Sequence, residues 1–300
     1  MEFIDAHAHI YERLTGFGAR GEARAIGGGM VEWATGKKER LLKAEHGEYG
    51  FSYDMLASLM KEGGIRHAVL LQGSNYGFQN SYTAEAVRRY PDTFTGAGTF
   101  DPYAKNADQI FDNLVNNLGF KILKFEMSDG YGLVGYHPNL KPDDKVFEPY
   151  LTAAEDMDIT VVIDTGEFEN KSCSVDSIVK VAQRHKQLNM VLAHTFFPRK
   201  DGKNDNRLEL VKRLKGEHIF FDVAGYLLPN STPEILSYFK KVIHMVGSDH
   251  VAWGTDCPST FMAYSYQELV DYICGPCGFT DAELTNLMSK TARYIYKIAN

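Results

Sequence analysis

The feature that most constrains the fold is the alternation of short apolar, β-branched runs with helical stretches along the whole chain. Eight such runs are interpreted as strands, at 3–10, 67–73, 95–102, 120–127, 160–167, 190–196, 219–225 and 251–258. Near-continuous apolar strands separated by helices are typical of parallel sheets that are covered on both faces. Eight strand–helix units in a chain of this length predict an α/β protein with a (β/α)8 TIM barrel fold.

Helical periodicity fills the segments between these strands. Helices are predicted at 53–62, 82–90, 107–118, 147–157, 175–185, 208–214 and 232–238, with a closing pair at 266–274 and 281–298. An open doubly wound sheet is the alternative, but no glycine-rich phosphate loop follows the first strand. We therefore expect a single barrel over residues 1–300.

An insertion at about 11–50 separates the first strand from the second. Long connections at the C-terminal face of a barrel often serve as lids or substrate loops. Its glycine triplet at 27–29 matches no phosphate-binding fingerprint and predicts a flexible turn. Arg20 and Arg24 are candidates for binding a substrate carboxylate, because guanidinium groups bind carboxylates in a bidentate fashion.

The charge balance limits the partners of the chain. There are 32 basic and 39 acidic residues, which give a formal net charge of −7 and disfavour nucleic acid or an anionic membrane as a partner. No apolar run approaches the ~20 residues needed to span a bilayer, and the N-terminus lacks a signal-peptide pattern. We expect a cytoplasmic protein with a small-molecule substrate. Its aromatic content of 12% is compatible with a homodimer.

The cysteines do not predict a metal or redox site. Cys274 and Cys277 form a CxxC pair, but no second pair exists to complete a structural zinc site. The flanking residues do not resemble a strand that enters a helix, as redox motifs of this spacing require. A tight turn with reduced thiols is the preferred interpretation.

Polar residues occur at the C-terminal ends of nearly all predicted strands. In a TIM barrel this face carries the active site. The residues concerned are His7, His9, Gln72, Asp101, Lys124, Glu126, Asp164, Glu167, His194, Asp222 and Asp256. Such convergence on one rim predicts a functional site there.

The first strand, "FIDAHAHI", contains the most specific of these patterns. Because strand side chains alternate between faces, Asp5, His7 and His9 are expected to share one face. The strand rise places the two imidazoles about 7 Å apart, close enough to chelate one metal ion. Hydrogen-bonded core histidines are the alternative for an isolated pair. The presence of His194 and Asp256 on other strands favours the metal.

Imidazole nitrogen and carboxylate oxygen are ligands of zinc and related ions, which leave one position open for water in catalytic sites. Binding to the metal lowers the pKa of such a water toward ~7. A carboxylate at the end of the eighth strand, Asp256, can serve as a ligand and accept the proton of the water.

Four segments resemble the amidohydrolase superfamily: "DAHAHI", "GFKILKFE", "VLAHTF" and "WGTDCP". Within it, the chain is similar to the amidohydrolase-related group that includes aminocarboxymuconate semialdehyde and resorcylate decarboxylases. The resemblance extends to the closing segment "FTDAELTNLMSKTARYIY". It implies a metal-dependent barrel in which His7, His9 and Asp256 are ligands. His194 matches a histidine that serves as a ligand or as an acid–base group.

The fifth strand departs from the pattern of the family. A metal-binding histidine is common there, but this chain has Asp164 in "VVIDTG". The aspartate can itself bind zinc or manganese, or it can mark a weakened or metal-free site, as in lactonases that work without a metal. Glu126 could supply the missing ligand. Lys124 shares the face of Glu126 and either binds substrate or neutralises that carboxylate.

These patterns predict a metal-dependent hydrolase of an amide, lactone or ester bond in a small cyclic or carboxylated metabolite. Zinc is the preferred ion and manganese the alternative. Non-oxidative decarboxylation of an aromatic or muconate-like acid is the alternative reaction, and a metal-free lactonase or a non-catalytic barrel is a third hypothesis. Further candidates for substrate binding are Gln72, Tyr76 and His137.

Overall fold

The computed structural model describes residues 1–170 and 172–299. Its strands are β1 (Phe3–Ala8), β2 (Phe17–Gly18), β3 (Gly21–Gly27), β4 (Met30–Trp33), β5 (Lys38–Arg40), β6 (Ile65–Leu70), β7 (Phe94–Gly96), β8 (Ile122–Glu126), β9 (Thr160–Asp164), β10 (Met190–Leu192), β11 (Ile219–Asp222) and β12 (Val251–Ala252). The α-helices are α1 (Tyr53–Glu62), α2 (Asn80–Arg89), α3 (Ala107–Asp112), α4 (Glu148–Asp156), α5 (Val175–Arg184), α6 (Asp205–Leu214), α7 (Pro233–Val246), α8 (Tyr266–Cys274), α9 (Asp281–Thr285) and α10 (Thr291–Tyr296).

A closed parallel barrel is formed by β1 and the strands from β6 to β12. Strands β1, β6 and β7 pair in parallel, and so do β8 through β12 in chain order. Parallel bridges join the two groups, one between Gly98 and Leu123 and the other between Ala8 and Cys257. The TIM barrel fold is confirmed, although several strands end earlier than the apolar runs because the chain turns into loops at the C-terminal rim.

The helices agree with the periodicity, apart from their ends. Two predicted helices contain a wider turn of π type, at Asn113–Asn117 after α3 and at Asn286–Lys290 between α9 and α10. Helix α7 continues to Val246, eight residues past its predicted end. None of the described helices is long and apolar enough to cross a membrane.

The interior of the barrel is apolar at its N-terminal end and polar at its C-terminal end. Residues from seven strands form a buried interior cluster: Ile4, Ala6, Val69, Ile122, Val162, Val191, Phe220 and Ala252. Helix α10 adds Ala292, Ile295 and Tyr296 to the same cluster and closes this end. Two residues further along β8, β9 and β11, the inward positions carry Lys124, Asp164 and Asp222, since inward side chains recur every second residue.

Strand β1 breaks this alternation, so the prediction that Asp5 shares a face with His7 and His9 is wrong. Its register with β6 shifts between Asp5 and Ala8, which turns His7 inward after Ala6. Asp5 lies on the outer face, where it accepts hydrogen bonds from the backbone N–H of Thr255 at 2.9 Å and the hydroxyl of Tyr266 at 2.8 Å. Burial raises the pKa of Asp5 to about 6. Asp5 therefore ties β1 to α8 and does not face the cavity.

The insertion folds into an antiparallel sheet with the order β2-β3-β4-β5. The glycine triplet forms the turn between β3 and β4, where all three residues have positive φ. The indole N–H of the buried Trp33 donates to Glu39 at 2.6 Å and links β4 to β5. A Cβ at Gly18 would lie 2.9 Å from the carbonyl oxygen of Gly130, so the sheet packs closely on the loop that follows β8.

Candidate active site

A cavity of about 500 Å³ opens at the C-terminal end of the barrel strands. This volume suits a small-molecule ligand. Its lining includes seven of the residues predicted for the site: His9, Tyr76, Lys124, Glu126, Asp164, His194 and Asp256. The ring of Tyr76 lies 5.0 Å from that of His9. Strands on opposite sides of the barrel thus bring these side chains together.

Backbone carbonyls fix the orientation of two of the histidines. Nδ1 of His9 bonds the carbonyl oxygen of Leu71, and Nδ1 of His194 bonds that of Ala224 at 2.9 Å. A carbonyl oxygen can only accept, so Nδ1 carries the proton in both rings. In the neutral form of each ring, the lone pair is therefore on Nε2.

His7 is oriented by a carboxylate. Its Nδ1 donates to Oδ2 of Asp222 at 3.0 Å, and both side chains are fully buried. Oδ1 of Asp222 accepts the backbone N–H groups of His194 at 2.8 Å and Ala224 at 3.1 Å. Metal-binding histidines commonly donate their second ring N–H to such an acceptor. Asp222 thus fixes the His7 ring and connects it to the loop that carries His194.

Three side-chain atoms converge in a manner that fits a metal ion. Nε2 of His9 lies 3.0 Å from Oδ1 of Asp256, and Nε2 of His7 lies 3.9 Å from the same oxygen. Ligand atoms of these three residues all lie within 4.8 Å of one another. Two imidazole nitrogens and one carboxylate oxygen form a donor set typical of catalytic zinc and related ions, with coordination positions left for water or substrate.

Two other predicted ligands do not belong to this group. Glu126 and Asp164 line the same cavity, but neither offers an atom to the three-residue cluster. A second cluster comprises His7, His194 and Asp222. The Asp222 carboxylate is already occupied by the hydrogen bonds described above, so it supports the ligands rather than being one.

Lys124 brings a positive charge to the same centre. Its side chain is buried, and Nζ lies 3.3 Å from Nε2 of His7. Burial, and next the charge of Lys124, hold the pKa of His7 well below its usual value. His7 is therefore neutral at pH 7, as a metal ligand must be, and a metal would compete with the ammonium group of Lys124 for the lone pair on Nε2.

His194 and Asp164 form a buried pair across the cavity. Nε2 of His194 lies 3.4 Å from Oδ2 of Asp164, whose Oδ1 accepts the backbone N–H of Gly166 at 2.9 Å. Burial acts to lower the pKa of His194, but the charge of Asp164 outweighs it and raises the pKa to about 10. In return, His194 outweighs the burial of Asp164 and holds the pKa of that carboxyl well below its usual range. His194 is protonated at pH 7.

Backbone strain is concentrated at the same side chains. His194 and Asp256 have positive φ values of 57° and 60°, which side chains other than glycine rarely adopt. The three residues after His194 also have positive φ. Strained residues of this kind persist where the surrounding structure holds them, and they are frequent at functional sites.

Glu126 is a second acid in the cavity. The hydroxyl of Ser128 donates to it at 2.9 Å, and burial raises its pKa to about 6. Gly73 leaves the space that Glu126 occupies, since a Cβ at that position would lie 1.8 Å from Oε2. Glu126 can therefore exchange a proton near neutral pH.

The sequence itself decides the family. Residues 4–298 match the family model described as amidohydrolase (Amidohydro_2). The chain belongs to the amidohydrolase family. In sequence, it matches none of the curated proteins.

Solved structures with this fold include both hydrolases and decarboxylases. An amidohydrolase from Burkholderia multivorans is 17% identical, with a TM-score of 0.71 and complete coverage of both chains. A probable 2-pyrone-4,6-dicarboxylic acid hydrolase from Acinetobacter baumannii is 16% identical, with a TM-score of 0.70 over 99% of this chain and 100% of that one. A 5-carboxyvanillate decarboxylase from Sphingomonas paucimobilis is 16% identical, with a TM-score of 0.57 over 81% and 82%. At these identities, the similarity establishes the fold alone.

Both arginines predicted to bind substrate in this amidohydrolase are engaged elsewhere. Arg20 forms an ion pair with Glu39 at 2.9 Å, and Arg24 with Glu32 at 2.7 Å. Neither arginine lines the cavity. The acidic partners sit on strands β4 and β5 of the insertion sheet, so both guanidinium groups are already paired within that sheet.

Gln72 and His137 also lie outside the cavity. Leu71 belongs to the barrel interior, so its neighbour Gln72 faces outward, where its amide donates to Thr83 at 3.3 Å. Nε2 of His137 bonds Asp101 at 2.8 Å on the loops above β7 and β8. Their positions do not support direct contact with substrate.

Some residues of the site had no assigned role in the sequence. Asp222 was recognisable only as a polar residue at a strand end, and its bond to His7 required the tertiary structure. Tyr226 and Ser259 line the cavity from loops. The hydroxyl of Ser259 donates to Oδ2 of Asp256 at 2.9 Å. No sequence pattern identifies residues of this kind.

Proposed function

We propose that this amidohydrolase hydrolyses an amide, lactone or ester bond of a small cyclic metabolite. The observation that carries the proposal is the arrangement of two kinds of group in one cavity. The ligand atoms of His7, His9 and Asp256 converge at the cavity that His9 and Asp256 line, and protonated His194 lines the same cavity. Hydrolysis needs both a base for water and an acid for the leaving group.

His7, His9 and Asp256 would hold a divalent ion, for which zinc is the preferred candidate and manganese the alternative. When bound, such an ion supplies the positive charge that polarises the scissile carbonyl and lowers the pKa of water. Asp222 keeps the proton of His7 on Nδ1, so Nε2 remains available. The carbonyl oxygen of Leu71 does the same for His9.

Asp256 is the proposed general base. Its pKa lies well below its usual range because the contact with His9 and the charge of His194 outweigh its burial. It is thus an acceptor at pH 7, and the hydroxyl of Ser259 orients it at Oδ2. As water adds to the carbonyl carbon, Asp256 takes one proton from it.

His194 is the proposed general acid. Its Nε2 carries a proton at pH 7 and faces the cavity beside Asp164. When the carbon–heteroatom bond breaks, His194 gives this proton to the leaving nitrogen or oxygen. Transfer of the proton from Asp256 back to His194 restores both groups, and the net reaction adds one water to the substrate.

Decarboxylation is the second candidate reaction. The observation in its favour is the pair of cations at the floor of the cavity, Lys124 and protonated His194, which could bind a substrate carboxylate. Glu126, with a pKa raised to about 6 by burial, could protonate the carbon that loses carbon dioxide.

The test is turnover by purified protein loaded with zinc or manganese. Small amides, lactones, esters and aromatic acids are incubated with it, and products are analysed by mass spectrometry. Hydrolysis adds the mass of one water and must disappear in the Asp256→Asn variant. His137→Gln, at a histidine outside the cavity, is the control that should retain activity. Loss of carbon dioxide from the acids, without hydrolysis of any other substrate, would replace hydrolysis with the second candidate.

A further inference from the structure

The wall of the cavity is acidic. Five carboxylates line it, from Glu126, Asp129, Asp164, Glu167 and Asp256. The cations that line it are Lys124 and protonated His194, and no described arginine does so. A bound divalent ion would offset part of this charge but would not make the wall positive. Carboxylate-bearing ligands would therefore meet net repulsion beyond the floor.

The carboxylates of the wall differ in whether they are already paired with a cation. Asp164 and Asp256 are buried or partly buried and have histidine partners. Asp129 and Glu167 instead lie exposed at the mouth of the cavity. Within residues 1–170 and 172–299, no salt bridge involves either of them. Their charge is available to a ligand that enters the cavity.

Aromatic rings line the same cavity. Phe197 and Tyr226 meet edge to face, with ring centroids 5.4 Å apart, and both line the cavity. Tyr131 lines it as well and already holds a guanidinium, since the Arg20 head group lies 5.3 Å from its ring centroid. Aromatic faces beside carboxylates are the combination that recognises organic cations.

From this arrangement we infer that the substrate bears an ammonium group or a similar organic cation. Asp129 and Glu167 attract the cation at the mouth, Phe197 and Tyr226 contact its alkyl or aromatic part, and the bond to be cleaved reaches His194 and Asp256 below. The inference rests on the proposed function for the cleaved bond, which would belong to an amine-bearing amide, lactone or ester. The charge preference belongs to the cavity itself and can be measured without turnover.

The test is calorimetric binding of three ligands of similar size: benzylammonium, benzyl alcohol and benzoate. Each is titrated into chelator-treated protein and into zinc-loaded protein at low ionic strength. Two exposed carboxylates and one ring contact predict that benzylammonium binds about tenfold more tightly than benzyl alcohol. Benzoate is expected to bind most weakly to the chelator-treated protein. Benzoate binding there as tightly as benzylammonium, or no detectable benzylammonium binding at millimolar concentration, would overturn the inference.

Two double variants test which carboxylates cause the preference for benzylammonium. Asp129→Asn/Glu167→Gln should abolish the advantage of benzylammonium over benzyl alcohol. Asp156→Asn/Glu217→Gln removes the same charge from exposed positions outside the cavity and should preserve the advantage. Equal losses in both double variants would assign the preference to net charge and contradict the inference. A protein that prefers benzylammonium but hydrolyses nothing would contradict the proposed function alone.

Discussion

Nδ1 of His7 donates to Oδ2 of Asp222 across 3.0 Å, with both side chains shielded from solvent. This contact joins the first and seventh strands of the barrel and keeps the lone pair of His7 on Nε2, which lies 3.9 Å from Oδ1 of Asp256. The candidate metal site thus depends on a carboxylate that is not itself among its three ligands.

Asp222→Asn should weaken metal binding by about 10- to 100-fold, as expected when the partner of a ligating histidine is removed. An asparagine can place its oxygen toward His7 only by turning its NH2 group toward the N–H groups of His194 and Ala224, which Asp222 accepts. Competition with a fluorescent zinc chelator measures the affinity. Asp101→Asn, which alters an aspartate–histidine pair outside the cavity, is the control. Equal affinities in the two variants would contradict this role of Asp222.

The pair of His194 and Asp164 predicts a dependence of stability on pH in chelator-treated protein. The folded pKa of His194, about 10, exceeds its unfolded value of 6.5, so the histidine contributes stability that is complete below pH 6.5 and lost as the pH rises through about 10. Asp164 has a lowered pKa, so its contribution is complete above its unfolded value of 3.8 and is lost in stronger acid. Both groups therefore contribute their full stability between pH 3.8 and pH 6.5.

Asp164→Asn should therefore lower the free energy of unfolding by about 3 kcal/mol near pH 5–6, because it leaves a buried partner without its counter-charge. The difference from wild type should shrink steadily toward pH 10. Urea denaturation at several pH values measures it. A difference that stays constant from pH 6 to pH 10 would mean that His194 is not charged in the folded protein.

Gly254 permits the close approach of β1 to the loop after β12. A Cβ there would lie 2.7 Å from both the backbone nitrogen and the Cβ of His7, and backbone atoms cannot move aside cheaply. Gly254→Ala should cost about 1–3 kcal/mol of stability and should also weaken metal binding through His7. Gly130→Ala is the matched control, because a Cβ at Gly130 meets no atom within 4 Å. Equal thermal unfolding temperatures of the Gly254→Ala and Gly130→Ala variants would refute the prediction.

Periodicity in the sequence was sufficient for the barrel. Inward apolar residues such as Val162 and Phe220 precede inward polar residues by two positions, so the strand pattern predicts both the core and the rim. Helices α1 and α8 have the predicted bounds, because a serine cap marks the start of each one and a glycine follows its end. These are local signals, which a single sequence carries.

Other features of the fold and the site depend on tertiary contacts, which the sequence pattern does not predict. The outward turn of Asp5 follows from a register shift in β1 that strict alternation does not anticipate. Arg20 and Arg24 are paired within a sheet whose strands the apolar pattern does not predict, and their acidic partners follow only from the alignment of those strands. The homodimer, the cytoplasmic location and the absence of nucleic-acid or membrane partners stay predictions.

The central claim is that His7, His9 and Asp256 bind one divalent ion. Its most direct test is elemental analysis of wild type, His7→Ala/His9→Ala and the control His137→Ala/His250→Ala, each incubated with zinc or manganese and freed of excess metal. Wild type and control should retain a near-stoichiometric amount of metal, and the first double variant should retain almost none. Wild-type protein that stays metal-free, or a His7→Ala/His9→Ala variant that retains as much metal as wild type, would contradict the account.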